Sequence, residues 1–154
     1  MVTVQDVKAR WEEIQQDDER ILFVVGGPGS GKSLLIRELA EQNGWKYLEA
    51  NQLIEEEFLL VSRDERPSLV EDVIRRALSR SDTEVVIIDG VNVLFAPILN
   101  LEPLQLLRTI SKTYPLVVGW RGHLDGDQLY LEHNNNPKYA VVTIQNSQHV
   151  MVID

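Results

Sequence analysis

The stretch Gly26-Gly27-Pro28-Gly29-Ser30-Gly31-Lys32-Ser33 lies between two segments of different hydrophobic periodicity. Before it, residues 21–25 (ILFVV) form a short apolar run that is typical of a buried strand. After it, residues 34–41 place apolar side chains at helical spacing, which predicts a helix over about 32–42. A strand, a glycine-rich loop and a helix in this order match G-x-x-x-x-G-K-[ST], the pattern of a phosphate-binding loop.

The residue types in this loop predict a site for ATP and Mg²⁺. Glycines allow backbone N–H groups to converge on phosphate oxygens, and the N-terminus of the following helix adds positive potential. Lys32 is expected to reach the β- and γ-phosphates, and the Ser33 hydroxyl is expected to ligate Mg²⁺. The loop contacts the phosphates and not the base, so the pattern does not distinguish ATP from GTP. The predicted nucleotide-contacting residues are Gly26, Gly27, Pro28, Gly29, Ser30, Gly31, Lys32, Ser33 and Leu34.

Length and composition indicate a single globular domain over residues 1–154. Apolar residues make up 44% of the chain and charged residues 25%, which is ordinary for a soluble protein. No apolar run approaches the ~20 residues of a membrane span, and the first 20 residues lack the apolar core of a signal peptide. With no cysteines in the chain, a cytoplasmic protein is expected. The net charge of −9 argues against nonspecific DNA binding by this chain alone.

Strand-like and helical patterns alternate along the rest of the chain. Strands are predicted at 45–49, 85–89, 115–120, 139–144 and 149–153, and helices at about 3–16, 67–79 and 103–110. Ser68 and Glu71 have the spacing of a capping box for the helix that opens at Pro67. The last two strands are expected to pair as a hairpin across Asn146–Gln148. These patterns predict an α/β fold: a three-layer α/β/α sandwich with a mainly parallel sheet and a C-terminal edge hairpin.

Asp89 is the candidate for the metal half of the nucleotide site. It ends the apolar run Val85–Ile88, and it follows the glycine-rich loop by about 55 residues. A carboxylate at the C-terminal end of such a strand holds Mg²⁺ opposite the loop hydroxyl. The sequence therefore predicts Ser33 and Asp89 as the metal-binding pair.

Hydrolysis also requires a group that orients or deprotonates the attacking water. Gly90 follows Asp89, where many ATPases of this kind carry a catalytic glutamate, so this motif does not by itself predict hydrolysis. Glu49, at the C-terminal end of the second strand, is the candidate for this base. Asn92 is a second candidate for positioning the water.

Arginines are the candidates for contacting the γ-phosphate. Arg121 follows the fourth strand, where it could contact the nucleotide or pair instead with Asp125 or Asp127. A neighbouring subunit could also supply an arginine. The residues available for that role are Arg63, Arg66 and Arg80.

With these motifs, the chain resembles the P-loop NTPases, in the branch that contains the AAA and RecA-like ATPases. The resemblance covers about residues 20–145 and rests on the loop at 26–33, the strand 85–89 and the polar end of the fourth strand. It implies catalytic roles for Lys32, Glu49, Asp89 and Arg121. No helical lid domain is expected after the last predicted strand. The size and motif layout also resemble the BrxF family, the small P-loop proteins of bacterial BREX phage-defence systems, which implies a component of an anti-phage assembly.

Three functions agree with these features. The first is a slow or partner-stimulated ATPase within a homo-oligomer or larger complex, and the second is a non-hydrolysing ATP-dependent switch. The third is a small-molecule or nucleotide kinase, since the loop also resembles that of adenylate kinases. A nucleotide kinase needs several arginines to neutralise two sets of phosphates, but only Arg108 and Arg121 follow Arg80 in the chain. We therefore expect the ATPase.

Overall fold

The computed structural model describes residues 1–153, and this part of the chain contains seven strands and four helices. The strands are β1 (Ile21–Gly26), β2 (Lys46–Glu49), β3 (Val86–Asp89), β4 (Leu116–Asp125), β5 (Gln128–His133), β6 (Asn136–Thr143) and β7 (Val150–Val152). The helices are α1 (Val4–Glu13), α2 (Lys32–Asn43), α3 (Arg66–Arg80) and α4 (Pro103–Ser111). None of these helices combines the length and apolar character that crossing a bilayer requires.

Five strands form a parallel sheet in the order β2-β3-β4-β1-β7. In this order β4 separates the strand that precedes the glycine-rich loop from the strand that ends in Asp89. The register pairs Gly26 with Arg121 across β1 and β4, and Glu49 with Asp89 across β2 and β3. Because the strands are parallel, these four residues lie at one edge of the sheet, where ligands bind in folds of this class.

Helices cover both faces of the sheet, each over its own hydrophobic core. On one face α1 and α2 pack through residues such as Trp11 and Ile36. On the other face α3 and α4 pack through residues such as Ile74 and Ile110. The predicted three-layer α/β/α architecture with a mainly parallel sheet is confirmed.

The antiparallel part of the sheet differs from the prediction. The segments at 139–144 and 149–153 do not pair with each other, because β7 runs parallel to β1 and β6 pairs with β5. The fourth strand continues to Asp125, well past the predicted end, and turns at Gly126 into β5. The antiparallel hairpin is therefore the β5–β6 unit, attached to the projecting half of β4.

The caps of two helices also differ from the prediction. Helix α3 begins at Arg66 with Pro67 in its first turn, so Ser68 lies inside the helix and does not cap it. Proline suits this first turn because its missing N–H would have no helical partner there. A capping box lies at α1, where Thr3 and Asp6 each donate a backbone N–H to the side-chain oxygen of the other.

Segments 50–65 and 91–99 consist of short 3₁₀ turns and connecting residues. They follow β2 and β3, so both leave the sheet at the edge that carries Glu49 and Asp89. These turns form one side of the functional cleft.

Candidate functional site

The glycine-rich loop has the backbone geometry of a phosphate cradle. Gly29 and Gly31 have φ values of +76° and +84°, which glycine adopts without steric cost. Gly31 is the N-cap of α2, so the first N–H groups of this helix open towards the loop. The Ser30 hydroxyl is buried and has no hydrogen-bond partner among residues 1–153. An unsatisfied hydroxyl beside open helix N–H groups fits an anionic oxygen ligand.

Asp89 is the centre of a buried polar cluster. Lys32 Nζ donates to Asp89 Oδ1 at 2.6 Å, while Ser33 Oγ and the Tyr47 hydroxyl donate to Oδ2 at 3.1 and 2.8 Å. The side chains of Lys32 and Asp89 are only 9% and 10% exposed. Burial opposes ionisation of the carboxyl, but the charge of Lys32 and the hydrogen bonds from Lys32, Tyr47 and the Gly90 backbone outweigh it and lower the pKa of Asp89. The cluster therefore holds an ionised carboxylate beside the loop.

Two residues of this cluster carry no motif signal. Tyr47 lies on β2, and its hydroxyl reaches Asp89 on the neighbouring strand β3. Gly119 lies on β4, and a Cβ at this position would collide with the Asp89 carboxylate and the Ile36 side chain. The order of the strands explains this close approach, since β4 lies directly between β1 and β3. Only the sheet order, which the sequence does not state, could have identified either residue.

Glu49, the predicted base, lies at the cleft and pairs with Arg37, which was not a predicted site residue. Arg37 Nη2 donates to Glu49 Oε1 at 3.3 Å. The Arg37 guanidinium also lies 5.0 Å from the centroid of the Tyr47 ring. Arg37 and Ser33 are one helical turn apart on α2, so both point to the same edge of the sheet. In this arrangement the carboxylate is held by a cation.

Arg121 and Asn92 both line the cleft. Arg121 is exposed and, within residues 1–153, makes no ion pair with Asp125 or Asp127, the alternative partners considered above. The Asn92 amide nitrogen lies 3.2 Å from His133 Nδ1. Arg121 is therefore available to a ligand, while Asn92 has a partner on β5.

The remaining arginine candidates separate into two groups. Arg66 donates to the backbone carbonyls of Ile98 and Leu59 at 2.7 and 3.4 Å. This internal role makes Arg66 unsuited to reach another subunit. Arg63 and Arg80 are exposed.

Around these groups lies a cleft of about 510 Å³, a volume typical of small-molecule sites. Loop residues 27–34 form one wall, and Glu49, Asp89, Asn92, Gly119 and Arg121 lie among the remaining lining residues. Residues 1–153 contain no preformed group of three or more acidic or histidine metal ligands. Ser33 Oγ and Asp89 Oδ2 instead offer two neighbouring oxygens. This set fits Mg²⁺, which is bound by few protein oxygens and completed by phosphates and water.

Comparisons with known proteins agree with this geometry. Residues 21–98 match the family described as "ATPase family associated with various cellular activities (AAA)". Adenylate kinase isoenzyme 5 is 40% identical over 57 residues in the human and mouse proteins, which is 37% of this chain. The matched part is about a tenth of the length of those relatives.

Two solved structures are similar over most of the chain. Caenorhabditis elegans PCH-2 is 18% identical with a TM-score of 0.47, covering 80% of this chain and 38% of that one. A katanin structure, described as a basis for self-assembly, is 14% identical with a TM-score of 0.43, covering 79% and 44%. The family match spans half of this chain and includes the loop, Glu49 and Asp89. This chain is therefore a member of the AAA family of P-loop NTPases.

Proposed function

We propose that this protein binds ATP together with Mg²⁺ and hydrolyses it slowly, at a rate that a partner raises. The observation that carries this proposal is the cluster of Lys32, Ser33 and Asp89 at the mouth of a glycine-rich loop. Mg²⁺, when bound, supplies charge neutralisation at the phosphates. Lys32 and the backbone N–H groups of the loop then hold the phosphate oxygens, and Ser33 and Asp89 hold the metal.

The arrangement of Glu49 supports slow hydrolysis. A general base must lie within hydrogen-bond reach of the water and must be free to accept its proton. The ion pair with Arg37 engages Oε1 of Glu49, and Gly90 offers no carboxylate in its place. Rapid turnover would require this pair to open. A contact that draws Arg37 away is therefore a way for a partner to stimulate the enzyme.

Arginine supply supports an assembly. Arg121 lies on the rim of the cleft with no partner among residues 1–153, so it can contact the γ-phosphate in cis. Arg63 and Arg80 are the exposed arginines from which a neighbouring copy could supply a second contact in trans. Arginines at a transferring phosphoryl group stabilise the charge of the transition state. We propose that the working form is a homo-oligomer or a larger complex, built from one P-loop domain per chain.

Phosphate release from purified protein tests the proposal. Steady release without an acceptor that disappears in Asp89→Ala supports the ATPase, and Glu49→Gln should also reduce it. At saturating Mg²⁺, Arg37→Gln is expected to raise release severalfold by freeing Glu49. Normal release in Glu49→Gln would contradict the assignment of the base. Tight ATP binding with no release under any condition would support a non-hydrolysing switch.

A nucleotide kinase is the second candidate, because part of the chain matches adenylate kinase isoenzyme 5. A further cavity of about 520 Å³ borders Arg121 and Asn92 on the β5–β6 side and could admit an acceptor. Adding a panel of nucleoside monophosphates to the same assay separates the two functions. Turnover that depends on an acceptor supports the kinase.

The layout of the chain also supports a biological role. We propose that it acts as a BrxF-like component of a bacterial anti-phage assembly in the cytoplasm. In a host that carries such a defence system, Lys32→Ala should abolish protection against phage while the protein remains present at its normal level. Full protection by this variant would contradict the role.

A further inference from the structure

Tyr47 belongs to no recognised motif, but it makes a direct contact with the proposed metal ligand. Its hydroxyl donates to Asp89 Oδ2 at 2.8 Å. Tyr47 lies on β2 with its ring partly buried against the core that contains Ile36 and Ile87. Since Ile87 and Asp89 are two residues apart on β3, they project to the same face of the sheet. Tyr47 lies opposite Ile87 in the register of β2 and β3, and its hydroxyl bonds Asp89.

The three donors to Asp89 have different relations to a bound nucleotide. In the proposed complex Lys32 turns to phosphate oxygens and the Ser33 oxygen turns to the metal. Tyr47 lies on a strand rather than in the loop, and the proposed complex does not use it to hold the nucleotide. Its hydrogen bond is therefore the one that can remain when the other two are exchanged for ligand contacts.

The ring of Tyr47 is itself held in place. The Arg37 guanidinium lies 5.0 Å from the ring centroid, at the distance of a cation–π contact, and pairs with Glu49 on the same strand. On the far side of Asp89, Gly119 leaves room for the carboxylate in this orientation.

We propose that Tyr47 is a positioning residue that holds the Asp89 carboxylate in the orientation that binds Mg²⁺. This inference rests on the proposed Mg²⁺–ATP site at the loop and adds a residue to it. Outer hydrogen-bond partners of metal ligands orient those ligands, and their loss lowers metal affinity by about 10–100-fold. Tyr47 has that relation to Asp89.

The test is ATP binding by Tyr47→Phe, measured by calorimetry at stepped Mg²⁺ concentrations. This variant keeps the ring beneath Arg37 and removes one hydroxyl. The Mg²⁺ concentration for half-maximal binding should rise about 10-fold, while ATP affinity in excess chelator stays at the wild-type value. Tyr114→Phe is the matched control, because Tyr114 lies at the opposite end of the sheet, between α4 and β4. This control should keep the wild-type Mg²⁺ dependence.

Two outcomes would overturn the inference, and they differ from failure of the proposed function. In the first, the wild type shows Mg²⁺-dependent binding and Tyr47→Phe shows the same half-maximal concentration. In the second, Tyr47→Phe weakens binding equally with Mg²⁺ and with chelator, which would indicate a general structural role. Failure of the wild type to bind ATP at any Mg²⁺ concentration would instead overturn the proposed function together with the inference. Far-ultraviolet circular dichroism of each variant checks that the fold is retained.

Discussion

The two ends of β1 both open into clefts lined by ion pairs, but the pairs differ in burial and in setting. At the C-terminal end, the Lys32 and Asp89 side chains are about one-tenth exposed and lie beside the glycine-rich loop and the uncapped N-terminus of α2. At the N-terminal end, a cleft of about 300 Å³ contains the Arg108–Glu19 pair, in which both side chains are 25% exposed.

The difference indicates which pair serves a ligand. Arg108 bonds both oxygens of Glu19 at 2.8 and 3.3 Å, and also bonds Gln145. These contacts join α4 to the segment before β1 and to the segment after β6. Arg108 therefore connects three parts of the fold. Lys32 has a single carboxylate partner. Burying both charges costs desolvation free energy, which can exceed the attraction between them, so this pair is weak evidence of a purely structural role. The buried pair is therefore the one that can be exchanged for phosphate and metal.

Removal of one carboxylate at each end should give the largest difference between the two clefts, in the free energy of unfolding. Asp89→Ala leaves the Lys32 ammonium buried without its partner, and we expect a loss of about 3 kcal/mol in the free energy of unfolding. Glu19→Ala removes a partly exposed partner, and we expect about 1 kcal/mol. Urea unfolding of both variants measures the difference. Equal losses would show that the two pairs are energetically alike.

A methyl group at position 119 should disturb the C-terminal cleft with a smaller effect on stability. In Gly119→Ala the Cβ collides with Asp89 and Ile36, and overpacking of this kind costs about 1–3 kcal/mol. Mg²⁺-dependent ATP binding should fall as well, because the carboxylate must move. Gly126→Asn is the control, since that turn has open space and asparagine tolerates its positive φ. Wild-type ATP binding by Gly119→Ala would contradict the packing described for Asp89.

The smallest expected effect is on the alkaline titration of Tyr47, which lies at the C-terminal cleft. The pKa of Tyr47 is raised from 10.0 to about 12, first by burial and then by its bond to Asp89. Because the folded state holds this proton more tightly, its contribution to stability is fully present below pH 10 and is lost as pH rises through about 12. Tyrosinate absorbance of the four tyrosines should include one late step. Tyr47→Phe should lack this step, and its persistence would assign the high pKa to another tyrosine.

Local patterns predicted much of the fold and the loop. The apolar run before the loop, the helix after it and the strand ending in Asp89 have clear periodicity, and each was found within a residue or two of its predicted bounds. The Asp89 carboxylate lies beside Ser33, as the prediction of a shared metal site requires.

Other features depended on contacts between distant parts of the chain. The extension of β4 to Asp125 follows from pairing with β5, although the Asp125-Gly126 turn signal was visible in the sequence. The contacts of Tyr47 and Gly119 with Asp89 follow from the strand order. The ion pair of Arg37 with Glu49 follows from the packing of α2 beside β2, which no residue spacing within either element reveals.

The most direct test of the central claim is ATP binding by Lys32→Ala, compared with Lys112→Ala, by calorimetry in the presence of Mg²⁺. Both variants remove one lysine, the first from the C-terminal cleft and the second from the N-terminal cleft. We expect Lys32→Ala to lose detectable ATP binding while it retains its fold, and Lys112→Ala to bind ATP as the wild type does. Unchanged ATP affinity in Lys32→Ala would show that the C-terminal cleft is not the ATP site.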